Sequence, residues 1–256
     1  MKSAASLLAL LAPLSAHAAE TGALVRFVSC PVYRDADSGK KSGCWLADDP
    51  ASGLRWDVSH SPYKPDVGMG VLVEGRVSAE ASTACGAPVL EPVRTSRLNT
   101  LCVRHILPAE GFSGRKFKLP PRNIQPLSVA RPVPPPPYTE RTFTTYFEFN
   151  RDFLVYQYDD FIIDNAVTWL RAAKPKKLII TGYAATRPET VSDRTIAERP
   201  EVAQQRAAVM AETFARLLPG LPIETRARLS AQPIDDPDAD GIPGQSQRRA
   251  EIRAIF

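Results

Sequence analysis

Histidine is scarce in this chain, with three residues in 256, and that scarcity narrows the chemistry open to it. General acid–base catalysis draws most often on a poised imidazole. Apart from His17 only His60 and His105 are present, and neither has a cysteine or aspartate at a spacing known from a catalytic centre. No Gly-x-Ser-x-Gly, His-Glu-x-x-His or glycine-rich phosphate loop occurs. The acid pairs Asp48-Asp49, Asp159-Asp160 and Asp235-Asp236 are adjacent, so their side chains diverge instead of facing each other across a substrate. The absence of any Cys-x-x-Cys argues against a zinc site. An enzyme is therefore not expected, nor is a cofactor. No apolar run approaches the roughly 20 residues of a membrane-spanning helix. Lysine and arginine form no long block and the formal net charge is only +4, so a nucleic-acid partner is not expected either.

What is present begins with a leader. Lys2 is followed by an apolar run from Ala4 to Leu14 and a small-residue exit at Ser15-Ala16-His17-Ala18-Ala19. One early charge, a short apolar core and a small-x-small end read as a secretory signal peptide over residues 1–19, cut after Ala18 or Ala19. Removal leaves about 237 residues, enough for two small domains. The expected location is the periplasm, with no membrane span in the mature chain.

All four cysteines, Cys30, Cys44, Cys85 and Cys102, fall in the first half. An even count in an exported chain reads as two disulfides. Three pairings are possible; loop length favours Cys30–Cys44 with Cys85–Cys102, each closing a hairpin-sized loop. Around them lie short β-like runs, Leu24–Val28, Gly70–Val77 and Val89–Val93, separated by the turn-prone Asp37-Ser38-Gly39, Asp49-Pro50 and Lys64-Pro65-Asp66. Residues 20–125 are expected to form a small all-β domain, an OB-like five-stranded barrel being the candidate. Trp45, Trp56 and Tyr63 read as core aromatics, with a sugar-stacking face as the alternative. The proline run Pro132–Pro137 marks a stiff linker over 126–139.

Residues 140–256 have a different character. Phe143, Thr145, Phe147 and Phe149 alternate with Thr144, Tyr146 and Glu148, as on a strand with one apolar face. Asp159–Ala173 carries Ile162, Ile163, Ala166, Val167, Trp169 and Leu170 at helical spacing. Lys177–Thr181 reads as a buried strand, Pro200 opens a second helix, Ile223–Leu229 is a strand, and the alternation Ala250, Ile252, Ala254, Phe256 ends the chain inside a sheet. The order β-α-β-α-β-β predicts an α/β sandwich, helices on one face of a mixed sheet.

Four of these segments resemble one family. Tyr146-Phe147-Glu148-Phe149-Asn150 is similar to its opening strand of alternating aromatics. Ile179-Ile180-Thr181-Gly182-Tyr183-Ala184-Ala185 is similar to a strand that runs into Gly-His-Thr-Asp. Val202-Ala203-Gln204-Gln205-Arg206-Ala207 is similar to Leu-Ser-x-x-Arg-Ala, and Gln247-Arg248-Arg249-Ala250-Glu251-Ile252 to Asn-Arg-Arg-Val-Glu-Ile. In this order they resemble the OmpA-like C-terminal domain, a module that holds peptidoglycan non-covalently in Gram-negative envelopes; the resemblance covers about residues 141–256. It implies that Arg206 and Arg248, with Gly182 and Tyr183, form a ligand pocket for the diamino acid of the peptide stem. The family aspartate is missing, since position 185 is alanine, and Tyr183 stands where the family has histidine. The segment between Ala185 and Arg206 is also longer than in the family, and its Glu189, Asp193 or Glu198 is the expected substitute anion.

Two functional readings follow. In one, the chain is a non-catalytic envelope adaptor that contacts peptidoglycan through its C-terminal domain. In the other, that domain has no wall ligand and serves as a scaffold for an envelope protein. Hydrolysis of cell-wall material stands third. Asp236, Asp238 and Asp240 alternate ahead of Gly241 as in a calcium loop, but position twelve would be Gln247 instead of a bidentate glutamate. The bland reading is an exposed turn, and no metal is expected.

Overall fold

The computed structural model describes residues 20–35, 43–80, 84–109, 111–112, 132–133, 135–154 and 156–256, with only the backbone for 156–161. The expected signal segment and half of the proline linker lie outside the described residues.

The first half builds two sheets. Strand β1 (Leu24–Ser29) is followed by β2 (Pro31–Arg34), β3 (Cys44–Asp48), β4 (Arg55–Asp57), β5 (Met69–Val77), β6 (Leu90–Leu101) and β7 (His105–Leu107). One sheet has the order β1-β5-β6, antiparallel throughout; the other has the order β4-β3-β2-β7, with β7 parallel to β2. The expected barrel does not form. Between the two sheets lies only one isolated bridge among the described residues, from Asp57 at the end of β4 to Val89 just before β6, and no closed ring results. Phe27, Ala47, Trp56, Val58, Val71 and Val73 fill the space between the sheets. Trp56 and Tyr63 are buried and Trp45 packs against Tyr33 with ring centroids 5.0 Å apart.

Disulfides join Cys30 to Cys102 and Cys44 to Cys85, each with Cα atoms 5.7 Å apart, which corrects the pairing expected from loop length. The reason is the long meander. Ser29 lies opposite Val71 on one side of β5 and Leu101 lies opposite Met69 on the other. The next residues, Cys30 and Cys102, therefore meet beyond the start of β5. Cys85 lies in the β5–β6 connection, which packs Cys85 and Ala87 against Val32, Cys44 and Leu46.

The second half is a four-stranded mixed sheet with two long helices, one short helix and a two-stranded hairpin. Its elements are β8 (Arg141–Tyr146), α1 (Tyr156–Ala173), β9 (Lys177–Tyr183), β10 (Glu189–Val191), β11 (Arg194–Ile196), α2 (Glu201–Leu217), β12 (Ile223–Arg228), a 3-10 turn (Pro237–Ala239), α3 (Pro243–Gln247) and β13 (Arg249–Ile255). Sheet order is β12-β9-β13-β8, with β12 parallel to β9 and β13 antiparallel to both neighbours. Opposite residues of a ladder share a face. Leu178 pairs with Ala254, Ile180 with Ile252 and Gly182 with Ala250, and onto this face pack Ala166, Val167 and Leu170 of α1 and Ala207, Met210 and Phe214 of α2. Both helices thus cover one side of the mixed sheet.

The two halves share buried ground through β5, which is buried on both faces. Val71 and Val73 enter the first-half core, while Leu72 meets Val28, Phe149 and Val191 in a cluster between the halves. The hairpin β10–β11 supplies Val191. Its turn, Ser192-Asp193, has both residues at positive φ, 47° and 60°, the conformation of a type I′ turn. Ser192 Oγ accepts from the Val28 N–H at 3.0 Å, and Phe149 N–H donates to Ser96 Oγ at 3.0 Å.

Candidate functional site

Helix α2 places Arg206 on the same stripe as Val202, Ala203, Ala207, Met210 and Phe214, so it carries a guanidinium into the interior. There it meets Glu198, and both side chains are 0 % exposed. Nη2 donates to Glu198 Oε1 at 2.6 Å and Nη1 to Oε2 at 2.9 Å, a two-bond fork. Three carbonyls take the rest: Nε donates to Arg151 O at 2.9 Å, Nη1 to Tyr183 O at 2.7 Å and Nη2 to Glu148 O at 3.0 Å. A guanidinium has five N–H donors, and these five bonds use all of them.

Glu198 is equally complete. Besides Arg206 it accepts the backbone N–H of Asn150 at 2.7 Å and of Ala185 at 2.8 Å. Burial pushes its carboxyl up, but the Arg206 charge and hydrogen bonds, the Arg248 charge and the Ala185 N–H outweigh burial and hold it below the ordinary carboxylate value. Where the resemblance implies an aspartate, Ala185 offers main chain alone, its carbonyl accepting the Glu198 N–H at 2.9 Å. Of the three acids expected to compensate, Glu198 is the one that reaches Arg206. Glu189 pairs with Arg26 across the halves, and Asp193 occupies the hairpin turn.

Arg248, just after α3, is also enclosed. Nη2 makes a short contact with Glu74 Oε2 and donates to Gln245 Oε1 at 3.1 Å, while Nε donates to Phe147 O at 3.3 Å. Glu74 lies in β5 of the first half and also accepts from Arg26 Nε at 3.0 Å. The three form an Arg–Glu–Arg triad, enclosed at Glu74 and Arg248 and half-buried at Arg26, that ties the halves together. Burial lowers the Arg248 pKa, yet the Glu74 charge and hydrogen bond, with the charges of Glu198 and Glu148, raise it above the ordinary arginine value. Glu74 was not anticipated from the sequence, although a lone acid inside the apolar run Val71–Val77 signals a need for a buried partner.

Gly182 and Tyr183 have packing roles. A Cβ on Gly182 would lie 2.0 Å from the carbonyl oxygen of Ala203, so glycine lets β9 and α2 touch. Tyr183 alternates to the sheet face away from α2, where its hydroxyl donates to Glu251 Oε2 at 2.8 Å and Arg249 lies 4.0 Å from its ring centroid. Burial and then that hydrogen bond push its hydroxyl pKa up.

The acids Asp236, Asp238 and Asp240 do not converge on a common point. Asp236 Oδ1 accepts the Asp238 N–H at 2.8 Å, capping the 3-10 turn, and Asp240 pairs with Arg94 of the first half. Among the described residues, His60, Glu80 and Glu91 come close enough to hold a metal, with ligand atoms within 4.8 Å of one another. Two of them already form a 3.1 Å pair, His60 Nδ1 with Glu91, and Glu80 is exposed. His105 lies exposed on β7.

No helix among the described residues is long and apolar enough to cross a membrane, and the two disulfides suit an oxidising, non-cytoplasmic setting. Compared with family models, with curated proteins and with solved structures, the chain finds no match, so its own residues and their geometry carry the functional argument.

Proposed function

We propose that this chain is a non-catalytic periplasmic adaptor whose OmpA-like half acts as a scaffold for an envelope protein, without a wall ligand at Arg206. One observation supports this reading: Arg206 is wholly buried and all five of its donors are taken, two by Glu198 and three by carbonyls. A stem diamino acid brings both a carboxylate and an ammonium. Its carboxylate would have to displace Glu198, leaving that buried anion without its cation, a change that typically costs about 3–5 kcal/mol. Its ammonium would find Ala185 where the resemblance implies an acid. The envelope setting is supported by the signal-like segment Met1–Ala19 and by cysteine use.

Co-sedimentation of the full chain with purified cell-wall sacculi tests the reading, beside an OmpA-like domain that keeps its aspartate. The expected result is that the control pellets and this chain stays in the supernatant. Saturable pelleting would overturn the scaffold reading and restore the wall-binding one. Release of soluble muropeptides would overturn it in favour of a hydrolase.

A further inference from the structure

Outside the buried Arg206–Glu198 pair the surface holds a cleft of about 620 Å³ between the two halves, a size typical of small-molecule sites. Three segments build it: the end of β6, the β8–α1 connection and the chain from β11 into α2. They contribute four arginines, Arg97, Arg151, Arg194 and Arg199, and no acidic side chain. Thr100 and Asn150 add neutral hydrogen-bonding groups.

The same contacts that bury Arg206 fix this wall. Arg151 gives its carbonyl to Arg206 and its N–H to Glu148 O at 3.1 Å. Asn150, at φ 56°, uses Oδ1 to accept the Arg199 N–H at 2.7 Å. Arg194 Nη1 donates to Thr100 Oγ1 at 3.3 Å across the mouth, so β6 and the hairpin are joined there. Along residues 197–199 the acid, Glu198, turns inward, while Ala197 and Arg199 line the cleft. Two of the four cations have partners at the rim, Arg97 with Asp66 at 3.6 Å and Arg199 with Glu201 at 3.2 Å, each pair about half exposed. Such pairs are weak and exchange readily with an incoming anion. Guanidinium groups are weakly hydrated forks that match carboxylate and phosphate oxygens.

We infer that this cleft is a binding site for a small ligand carrying two or more oxyanion groups, phosphate or carboxylate, held by Arg151 and Arg194 with Arg97 and Arg199 at the rim. The inference stands apart from the scaffold reading: it needs no sacculus binding and is unaffected by its presence or absence.

Isothermal titration of the full, disulfide-bonded chain with pyrophosphate and, separately, with citrate tests it, with acetate as a monovalent control. Saturable binding that weakens with added salt is expected for at least one of the two, the arm that binds naming phosphate or carboxylate as the source. The double change Arg151→Ala with Arg194→Ala should weaken it by roughly tenfold or more, the loss expected when charged hydrogen bonds are removed. Arg226→Ala, an exposed arginine on β12 paired with Glu224, should leave affinity unchanged. If the double variant fails to fold, Arg194→Gln on the exposed hairpin replaces it. No heat with either anion at millimolar concentration overturns the inference. So does an equal loss in Arg226→Ala, which would mark a diffuse positive field in place of a site.

Discussion

Glu148 lies just after β8, and its carboxyl is pushed up to about 7, first by burial, against the opposing charges of Arg151, Arg248 and Arg97. Its ordinary value is 4.5, so between the two values the folded protein keeps a proton that the unfolded chain releases. The contribution to stability is therefore full below the ordinary value and is lost as pH rises through 7. Glu148→Gln should remove this dependence and make the variant the more stable protein at pH 8, by about 1–3 kcal/mol. Denaturant unfolding of both proteins at pH 5 and pH 8 checks it; a difference that does not grow with pH would contradict the assignment. Glu198 has the opposite sign: its pKa is held down, so its contribution is present above the ordinary carboxylate value and lost as pH falls through the folded one. Helical spacing in the sequence puts Arg206 on the apolar stripe of α2, which already implies a buried partner. Which of Glu189, Asp193 and Glu198 supplies it depends on the path of the loop, and spacing does not carry that information.

At the scale of the elements, the contact between β9 and α2 is set by Gly182. Gly182→Ala would drive a methyl group into the Ala203 carbonyl, and the helix backbone has no flexible end to yield. A loss of about 3 kcal/mol or more is expected, at the upper end for overpacking; a thermal melt unchanged from the parent would show that β9 and α2 separate freely. The main second-half elements were legible because they have a strong pattern: Lys177–Thr181 is a near-continuous apolar run, and α1 and α2 repeat their apolar residues at helical spacing. The hairpin β10–β11 was not legible. Its turn is Ser192-Asp193, without the glycine that usually marks positive φ, and each strand has three residues. The cysteine pairing failed for a different reason. Short-loop reasoning counts local closure, whereas the nine residues of β5 and twelve of β6 return Cys102 to Cys30 over a separation of 72.

For the whole molecule, the triad of Arg26, Glu74 and Arg248, together with the cluster around Leu72 and Phe149, packs the halves against each other. A single unfolding transition is expected by calorimetry under oxidising conditions. Glu74→Ala should lower the stability of that whole transition by about 3–5 kcal/mol, because it leaves Arg248 charged and enclosed. Two separate transitions in the parent, or a loss confined to one of them in the variant, would show that the halves melt independently. The pairing of Glu74 with Arg248 also spans much of the chain. A ribosome finishes Glu74 174 residues before Arg248. Without Arg248, Glu74 would keep only the part-exposed Arg26 as a cation partner. Enclosure of the β5 carboxylate therefore waits on the residue that leads into β13, 174 positions further along the chain.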